Sequence, residues 1–148
     1  MMGSVVMLLV APAAGQPVEP RERVELIAGR GVAGDRYAAG RGHWSDPRWP
    51  DQELTLFESE VAEELGLGPE QFRRNIVTRG VSLESLLGRR FRVGTALIEG
   101  VRPCDPCSYI EQFSRPGVIR EVMGIRGGLR ARILEGGTVR LGDLVVPA

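Results

Sequence analysis

Hydrophobic residues in this chain come in short runs of strand length, separated by glycine, proline and charged residues. Residues 5–10 are continuously apolar, as in a strand buried on both faces, whereas residues 129–134 alternate apolar with charged or small residues, as in a half-buried strand. Further strands are predicted at residues 24–27, 54–57, 75–78, 91–93, 95–99 and 139–146, the last broken at Gly142 and Asp143. Residues 135–138 are glycine-rich and predict a hairpin turn between the last two strands.

Two or three short helices are predicted between these strands. Residues 58–65 begin with acidic residues and are followed by a glycine, which is typical of a helix start and a helix stop. Residues 69–74 predict another helical turn, and Ser82 is placed to cap a short helix whose leucines form one apolar face. Residues 118–123 are a further candidate helix.

The order of these elements shows no regular βαβ alternation and no internal repeat. Six to eight short strands with two or three short helices favour a mostly β (α+β) fold, a β-barrel with helical insertions, over a doubly wound parallel sheet. The 20 glycines and 10 prolines are well above average usage and fit the many tight turns of such a fold. A chain of 148 residues is expected to form a single domain, residues 1–148.

The balance of charge excludes some classes of partner. Nineteen basic and 19 acidic residues give a formal net charge of zero, so no global field favours nucleic acid or an anionic membrane surface. No apolar stretch approaches the ~20 residues of a membrane span, and the apolar start lacks the positive region of a signal peptide. We therefore expect a cytoplasmic protein with neither nucleic acid nor membrane as a partner. Lysine is absent, so no covalently held pyridoxal phosphate is expected in this chain.

Both cysteines of the chain, Cys104 and Cys107, lie in the short run 101–109 between prolines. Proline fixes its own φ and restricts the residue before it, so this loop can hold a sulfur atom in one place. The spacing indicates a reactive thiolate or a metal ligand, and a thioredoxin-like redox pair is an alternative. A zinc site would need two more ligands, for which His43 and Asp105 are the obvious sources.

Arginine is the only cation in this sequence that can stabilise a thiolate or bind an anion, apart from its one histidine. Arg36 and Arg102 are candidates for lowering the pKa of a thiol. Asp35, in the glycine-rich stretch before Arg36, belongs either to a site or to a buried ion pair that supports the turn. Candidates for an anion-binding pocket are Arg79, Arg126 and Arg130, although a solvated surface is the commoner role for each.

Four short stretches of the chain form a recognisable series: residues 31–36 (GVAGDR), 74–81 (RNIVTRGV), 86–94 (LLGRRFRVG) and 102–107 (RPCDPC). They stand in the order found in MOSC domains, and the ending at residues 136–143 (GGTVRLGD) is also similar. The chain resembles that family over about residues 5–146. MOSC domains are the C-terminal domains of molybdenum cofactor sulfurases and their stand-alone bacterial relatives. Each stretch alone is a weak signal, but four in the right order are fairly specific.

The resemblance implies a MOSC-type β-barrel and a cysteine that carries sulfur or ligates molybdenum. By its position in the motif that cysteine is Cys107, and Cys104 is an accessory. The resemblance also implies a molybdenum cofactor, molybdopterin, with Asn75 either bonding a pterin edge or capping the helical turn before it. Together with the arginine candidates above, the residues expected to bind the cofactor are Asp35, Arg36, Asn75, Arg79, Arg102 and Cys104.

Three functional hypotheses follow. In the first, Cys107 is a persulfide carrier or a molybdenum ligand, and the chain acts as a sulfur transferase or as a component of a molybdenum-pterin-dependent enzyme. A pyridoxal-phosphate-dependent cysteine desulfurase would then be the sulfur donor, and a molybdenum-pterin centre the acceptor. In the second, the chain is a non-enzymatic module that delivers the molybdenum cofactor. In the third, it is a thiol-disulfide redox protein that uses Cys104 and Cys107.

Overall fold

The computed structural model describes residues 3–12, 17–35, 53–104 and 124–148. The strands of these residues are β1 (Gly3–Val10), β2 (Glu19–Arg21), β3 (Arg23–Ile27), β4 (Gly31–Val32), β5 (Leu54–Glu58), β6 (Ile76–Arg79), β7 (Arg90–Val93), β8 (Ala96–Pro103), β9 (Leu129–Glu135), β10 (Gly137–Arg140) and β11 (Leu144–Pro147). They are joined by one α-helix, α1 (Ser59–Leu65), and by 3-10 turns at Pro69–Phe72, Leu83–Leu86 and Gly124–Gly127. The predicted mostly β fold with short helices is confirmed. The strands outnumber the predicted six to eight because some, such as β2 and β4, are too short to show in the sequence pattern.

Seven of the strands close into a barrel. The order around it is β1, β11, β7, β8, β9, β5 and β6, and β6 pairs with β1 to complete the ring. Strand β2 pairs with the C-terminal part of β1, and β3, β4 and β10 form a separate three-stranded sheet. Strands β5 and β6 are parallel, and α1 lies in the crossover between them.

Side chains of β5 and β6 are buried on both faces of the sheet. Leu56 and Ile76 point into the barrel and belong to its hydrophobic core. The adjacent Phe57 and Val77 point the other way, into a second cluster beneath α1, where Phe57 stacks on Phe72 with ring centroids 4.5 Å apart. This double burial explains why each strand has two apolar residues in succession, LF in β5 and IV in β6.

The helical predictions hold in part. Helix α1 ends at Gly66, whose φ of 69° is the left-handed conformation that glycine adopts most readily, so the predicted helix and its stop are confirmed. The turn at Leu83–Leu86 is also present, but Ser82 does not cap it through its side chain. Instead, the Leu83 N–H donates to Glu58 Oε2 over 3.2 Å, so a carboxylate from the end of β5 performs the capping. Among the described helices none is long and apolar enough to cross a membrane, and residues 118–123 lie outside the described part.

The hairpin predicted at residues 135–138 is wrong. Strand β10 does not pair with β9 but with β3, where Val139 lies opposite Val24. A Cβ atom at Gly136 would lie 2.6 Å from the carbonyl oxygen of Leu26, so glycine is required for close approach to β3. The glycines here let the chain leave the barrel and join the small sheet, which a local turn pattern cannot distinguish from a hairpin.

Two half-buried carboxylates tie loops to the barrel wall. Glu53 Oε1 accepts the N–H groups of Gly29 and Ile133 over 3.1 and 3.0 Å. Burial raises the pKa of Glu53 above its ordinary value of 4.5, against the lowering effect of those N–H groups and of a nearby arginine. Burial likewise raises the pKa of Glu58, against the Leu83 N–H. In both carboxyls desolvation is the largest effect.

We expect these two carboxyls to make the protein less stable as pH rises from about 4.5 toward neutrality. A group whose pKa is raised by folding holds its proton more tightly in the folded state. Its stabilising contribution is therefore complete below the unfolded pKa and is lost as pH rises through the folded pKa. Urea unfolding of wild type and of the double variant Glu53→Gln/Glu58→Gln across this range tests the sign. The variant should show the flatter dependence, and an equal or steeper decline would contradict the assignment.

Candidate functional site

A row of polar side chains crosses four neighbouring strands at one level of the barrel wall. Arg102 of β8 lies opposite Arg130 of β9, and Arg130 lies opposite Thr55 of β5. Thr55 Oγ1 is 3.2 Å from Oδ1 of Asn75, which immediately precedes β6. The residues on both sides of Arg130 belong to the barrel core, so Arg130 points outward, and directly opposite residues share a face. We call Arg102, Arg130, Thr55 and Asn75 the outer polar row.

Exposure falls along this row from β8 to β6. Arg102 is exposed and Arg130 half-buried, whereas Thr55 and Asn75 are only 7% and 6% exposed. The two guanidinium groups therefore concentrate positive charge at the accessible end. Their planar, multiply donating geometry suits a phosphate or a carboxylate. The accessible end of the row thus carries two side chains of the type that binds anions.

The Asn75 side chain makes a full set of hydrogen bonds within the protein. Its Nδ2 donates to the carbonyl oxygen of Leu9 over 3.2 Å and to Oδ1 of Asp35 over 3.3 Å. Its Oδ1 accepts the N–H and the hydroxyl of Thr55, both over 3.2 Å. An amide has two N–H donors and an oxygen with two lone pairs, so this side chain is saturated. Asn75 therefore joins β1, β5 and the residue 35 turn.

Asp35 lies at the inner end of the same network. It is 2% exposed, and its Oδ1 also accepts the Ala11 N–H over 2.9 Å. The chain reaches it through a tight turn after β4, in which Gly34 has a φ of 86° and the Asp35 N–H donates to the Val32 carbonyl over 2.9 Å. The glycine-rich stretch therefore forms a tight turn that brings Asp35 to Asn75.

Cys104 follows the exposed end of the row directly. Strand β8 continues through Pro103, so Arg102 lies in a strand and not in the loop in which the sequence pattern placed it. The Cys104 side chain is fully buried, and its N–H donates to the Gly128 carbonyl over 2.8 Å. Reactive cysteines are at least partly exposed, so these surroundings suit a packing role for Cys104.

Two arginines just before Asn75 also belong to this region, although the sequence pattern did not single them out as site residues. Arg73 and Arg74 are 4% and 8% exposed, and Arg73 has a φ of 57°, a left-handed conformation that is uncommon for a residue with a side chain. Arg74 donates to the carbonyl oxygens of Gly127 and Cys104 over 2.8 and 3.1 Å. The sequence did contain a signal, a pair of arginines directly before an apolar strand. If such an arginine is buried, its guanidinium group needs several hydrogen-bond acceptors.

Two other candidate arginines form ion pairs with α1. Arg79, at the far end of β6 from Asn75, forms an ion pair with Glu63. Arg126 forms one with Glu64 over 3.2 Å. Both pairs are largely exposed, and such pairs contribute little to stability.

The remaining candidates lie outside the described residues. These are Cys107, Arg36, His43 and Asp105. Within the part of the chain that the structure describes, no group of three or more histidine, cysteine, aspartate or glutamate side chains is placed to hold a metal ion. The structure thus brings together Asp35, Asn75, Arg102 and Cys104 around one end of β6, β8 and β9.

Comparison with known proteins identifies the family. A MOSC domain model matches residues 49–146. The solved structure of the YuaD protein from Bacillus subtilis is 20% identical with a TM-score of 0.75, covering 98% of this chain and 94% of that one. YiiM from Geobacillus stearothermophilus is 18% identical with a TM-score of 0.73, covering 99% and 75%, and YiiM from Escherichia coli is 19% identical with a TM-score of 0.67, covering 100% and 70%. None of the curated proteins matches. Since the family model spans more than half of the sequence and the barrel is shared with these structures, the chain belongs to the MOSC domain family.

Proposed function

We propose that this MOSC domain protein carries sulfur on Cys107 as a persulfide and passes it as sulfide to an anionic acceptor, for which a pterin-bound molybdenum centre is the candidate. Two external thiols, which are oxidised to a disulfide, supply the two electrons of this second step and return Cys107 to its thiol form. The observation that carries the proposal is the position of Cys104, directly after the exposed arginine end of the outer polar row. Three peptide units separate Cys104 from Cys107, so their Cα atoms are at most about 11 Å apart. The sulfur of Cys107 is therefore tethered near a surface that suits an anion.

The loading step is a thiol exchange with a donor persulfide. A pyridoxal-phosphate-dependent cysteine desulfurase is the proposed donor, since this chain has no lysine to hold that cofactor. The Cys107 thiolate attacks the outer sulfur of the donor's cysteine persulfide, a new sulfur–sulfur bond forms on Cys107, and the donor cysteine leaves as a thiolate. A guanidinium group beside a thiol favours the thiolate form that this attack requires.

The residues of the outer polar row fit the charge of a molybdenum cofactor. Arg102 and Arg130 would hold its phosphate, because two guanidinium groups share one face of β8 and β9. Asn75 would act indirectly, since its amide is already saturated by protein groups. When bound, the cofactor supplies molybdenum redox chemistry, for which a cysteine thiolate is a suitable soft ligand.

Sulfur loading is the direct test. After incubation with a cysteine desulfurase and L-cysteine, wild type should gain the mass of one sulfur atom. The variant Cys107→Ser should gain none, whereas Cys104→Ala, which removes the other sulfur atom, should gain the same mass as wild type. Intact-protein mass spectrometry measures all three. No gain in wild type, or an equal gain in Cys107→Ser, would count against the proposal.

The second candidate function is delivery of the molybdenum cofactor without sulfur transfer. The arginine pair at the exposed end of the row is the observation that favours it. Molybdenum content and pterin fluorescence of purified protein should then be positive in wild type and reduced at least about tenfold in Arg102→Gln. A blank in wild type counts against delivery. The redox alternative is the weaker one, since it requires exchange at a cysteine that is fully buried.

A further inference from the structure

The Arg74 guanidinium connects the two described ends of the segment that contains Cys107. Its NH2 donates to the carbonyl oxygen of Cys104 over 3.1 Å, and its Nε donates to that of Gly127 over 2.8 Å. Residues 105–126, which include Cys107, lie between these two points in the chain. The Cys104 N–H also donates to the Gly128 carbonyl over 2.8 Å, so a backbone hydrogen bond joins the same two parts of the chain.

The surroundings leave little freedom for this side chain. Arg74 is 8% exposed, and its Nε lies 3.3 Å from the position that a Cβ at Gly128 would occupy. Close packing and two directed hydrogen bonds fix one rotamer of a side chain that otherwise has many. A lysine here could not copy the arrangement, because its three N–H donors radiate from one nitrogen, whereas the Nε and NH2 donors of a guanidinium are separate atoms held in one plane.

We propose that Arg74 is a positioning residue: by holding the carbonyl groups of Cys104 and Gly127 it fixes where the Cys107 segment leaves and rejoins the barrel. Its effect on sulfur transfer rests on the proposed function, whereas its effect on the backbone does not. Arg74 reaches these carbonyls from the start of β6, next to Asn75, so it couples the outer polar row to the cysteine segment. The structural alternative is that Arg74 only adds to global stability.

Site-resolved amide exchange separates these two roles. In Arg74→Gln the N–H groups of Cys104 and Gly128 should exchange at least about tenfold faster than in wild type, because their shared anchor is lost. The N–H groups of Val93 and Val145, on other strands of the barrel, should exchange at the wild-type rate. Uniform acceleration at all four sites would overturn the proposal in favour of a global role.

Reactivity at Cys107 is the second measurement. Under conditions in which circular dichroism shows all variants folded, Arg74→Gln should slow sulfur loading by at least about tenfold. Arg74→Lys, which keeps the charge but lacks the planar pair of donors, should lie between Arg74→Gln and wild type. The control is Arg92→Gln on β7, which removes an exposed ion pair with Glu135 and should load normally.

The two proposals fail in different ways. Absence of sulfur uptake by wild type overturns the proposed function, and the rate of Cys107 alkylation by iodoacetamide then replaces loading as the measure of Arg74. A changed alkylation rate in Arg74→Gln, with partial recovery in Arg74→Lys, supports positioning. An unchanged rate together with normal exchange at Cys104 overturns it.

Discussion

Replacing Gly128 with alanine is expected to destabilise the protein by at least about 3 kcal/mol, a large part of the roughly 5–15 kcal/mol by which a folded domain is typically stable. Gly128 has a φ of 120°, which residues with a Cβ rarely adopt, and an added Cβ would lie 2.5 Å from the carbonyl oxygen of Leu56. That oxygen belongs to the backbone of β5 and cannot move without disrupting the barrel wall. The same Cβ would crowd Arg74 Nε at 3.3 Å, so the cysteine segment would lose its anchor as well.

Gly142→Ala is the matched control for this prediction. Gly142 also has a positive φ, of 87°, but a Cβ there would meet nothing within 4 Å. Its substitution should therefore cost only the conformational penalty, about 1–2 kcal/mol. Urea unfolding followed by circular dichroism measures both variants. If Gly128→Ala lowers the free energy of unfolding no more than Gly142→Ala does, the close approach of Gly128 to β5 would be contradicted.

Replacing Asn75 with alanine is expected to cost about 3–5 kcal/mol. The change removes four hydrogen bonds at a site that is 6% exposed, and it leaves the Thr55 N–H, the Leu9 carbonyl and the Asp35 carboxylate short of a partner. A buried polar group that loses its partner costs more than the lost bond was worth. The loss should appear as a lower midpoint in urea unfolding.

Thr78→Val provides the comparison for Asn75. Thr78 is fully buried on β6, but its hydroxyl makes one long hydrogen bond, 3.4 Å to the Phe57 carbonyl. Valine has nearly the same shape, so this substitution should cost less than about 1 kcal/mol. Similar losses for Thr78→Val and Asn75→Ala would contradict the view that Asn75 joins three separate elements.

The order of strands and helices could largely be predicted from the sequence because each element carries its own local pattern. The apolar run of β1, the alternation of β9 and the glycine stop after α1 are visible within a few residues. The pairing of strands cannot be read from such local patterns, because it is decided by residues that are distant in sequence. Thus the glycines at 136 and 137 fit a hairpin in sequence, whereas they serve close contacts with Leu26 and Thr95. For the same reason the sequence pattern predicts Ser82 as the cap of the turn at Leu83–Leu86, whereas Glu58, which is distant in sequence, accepts the Leu83 N–H.

The candidate site was predictable to a similar degree. Motif resemblance singled out Asp35 and Asn75, and the structure brings them within 3.3 Å. The motif resemblance could not show that the Asn75 side chain is fully hydrogen-bonded within the protein, nor that Arg79 forms an ion pair with α1. Both depend on neighbours far away in the chain. Arg74 was missed since a surface role is the ordinary expectation for an arginine, and only the fold reveals its two carbonyl acceptors.

Locating the transferred sulfur atom tests the central claim most directly. After incubation with the desulfurase and L-cysteine, the peptide that contains both cysteines is fragmented in a mass spectrometer, which distinguishes a persulfide on one from a persulfide on the other. We expect the added sulfur on Cys107 alone. Its appearance on Cys104, or an unmodified peptide from a donor that loads a known acceptor in the same reaction, would contradict the account.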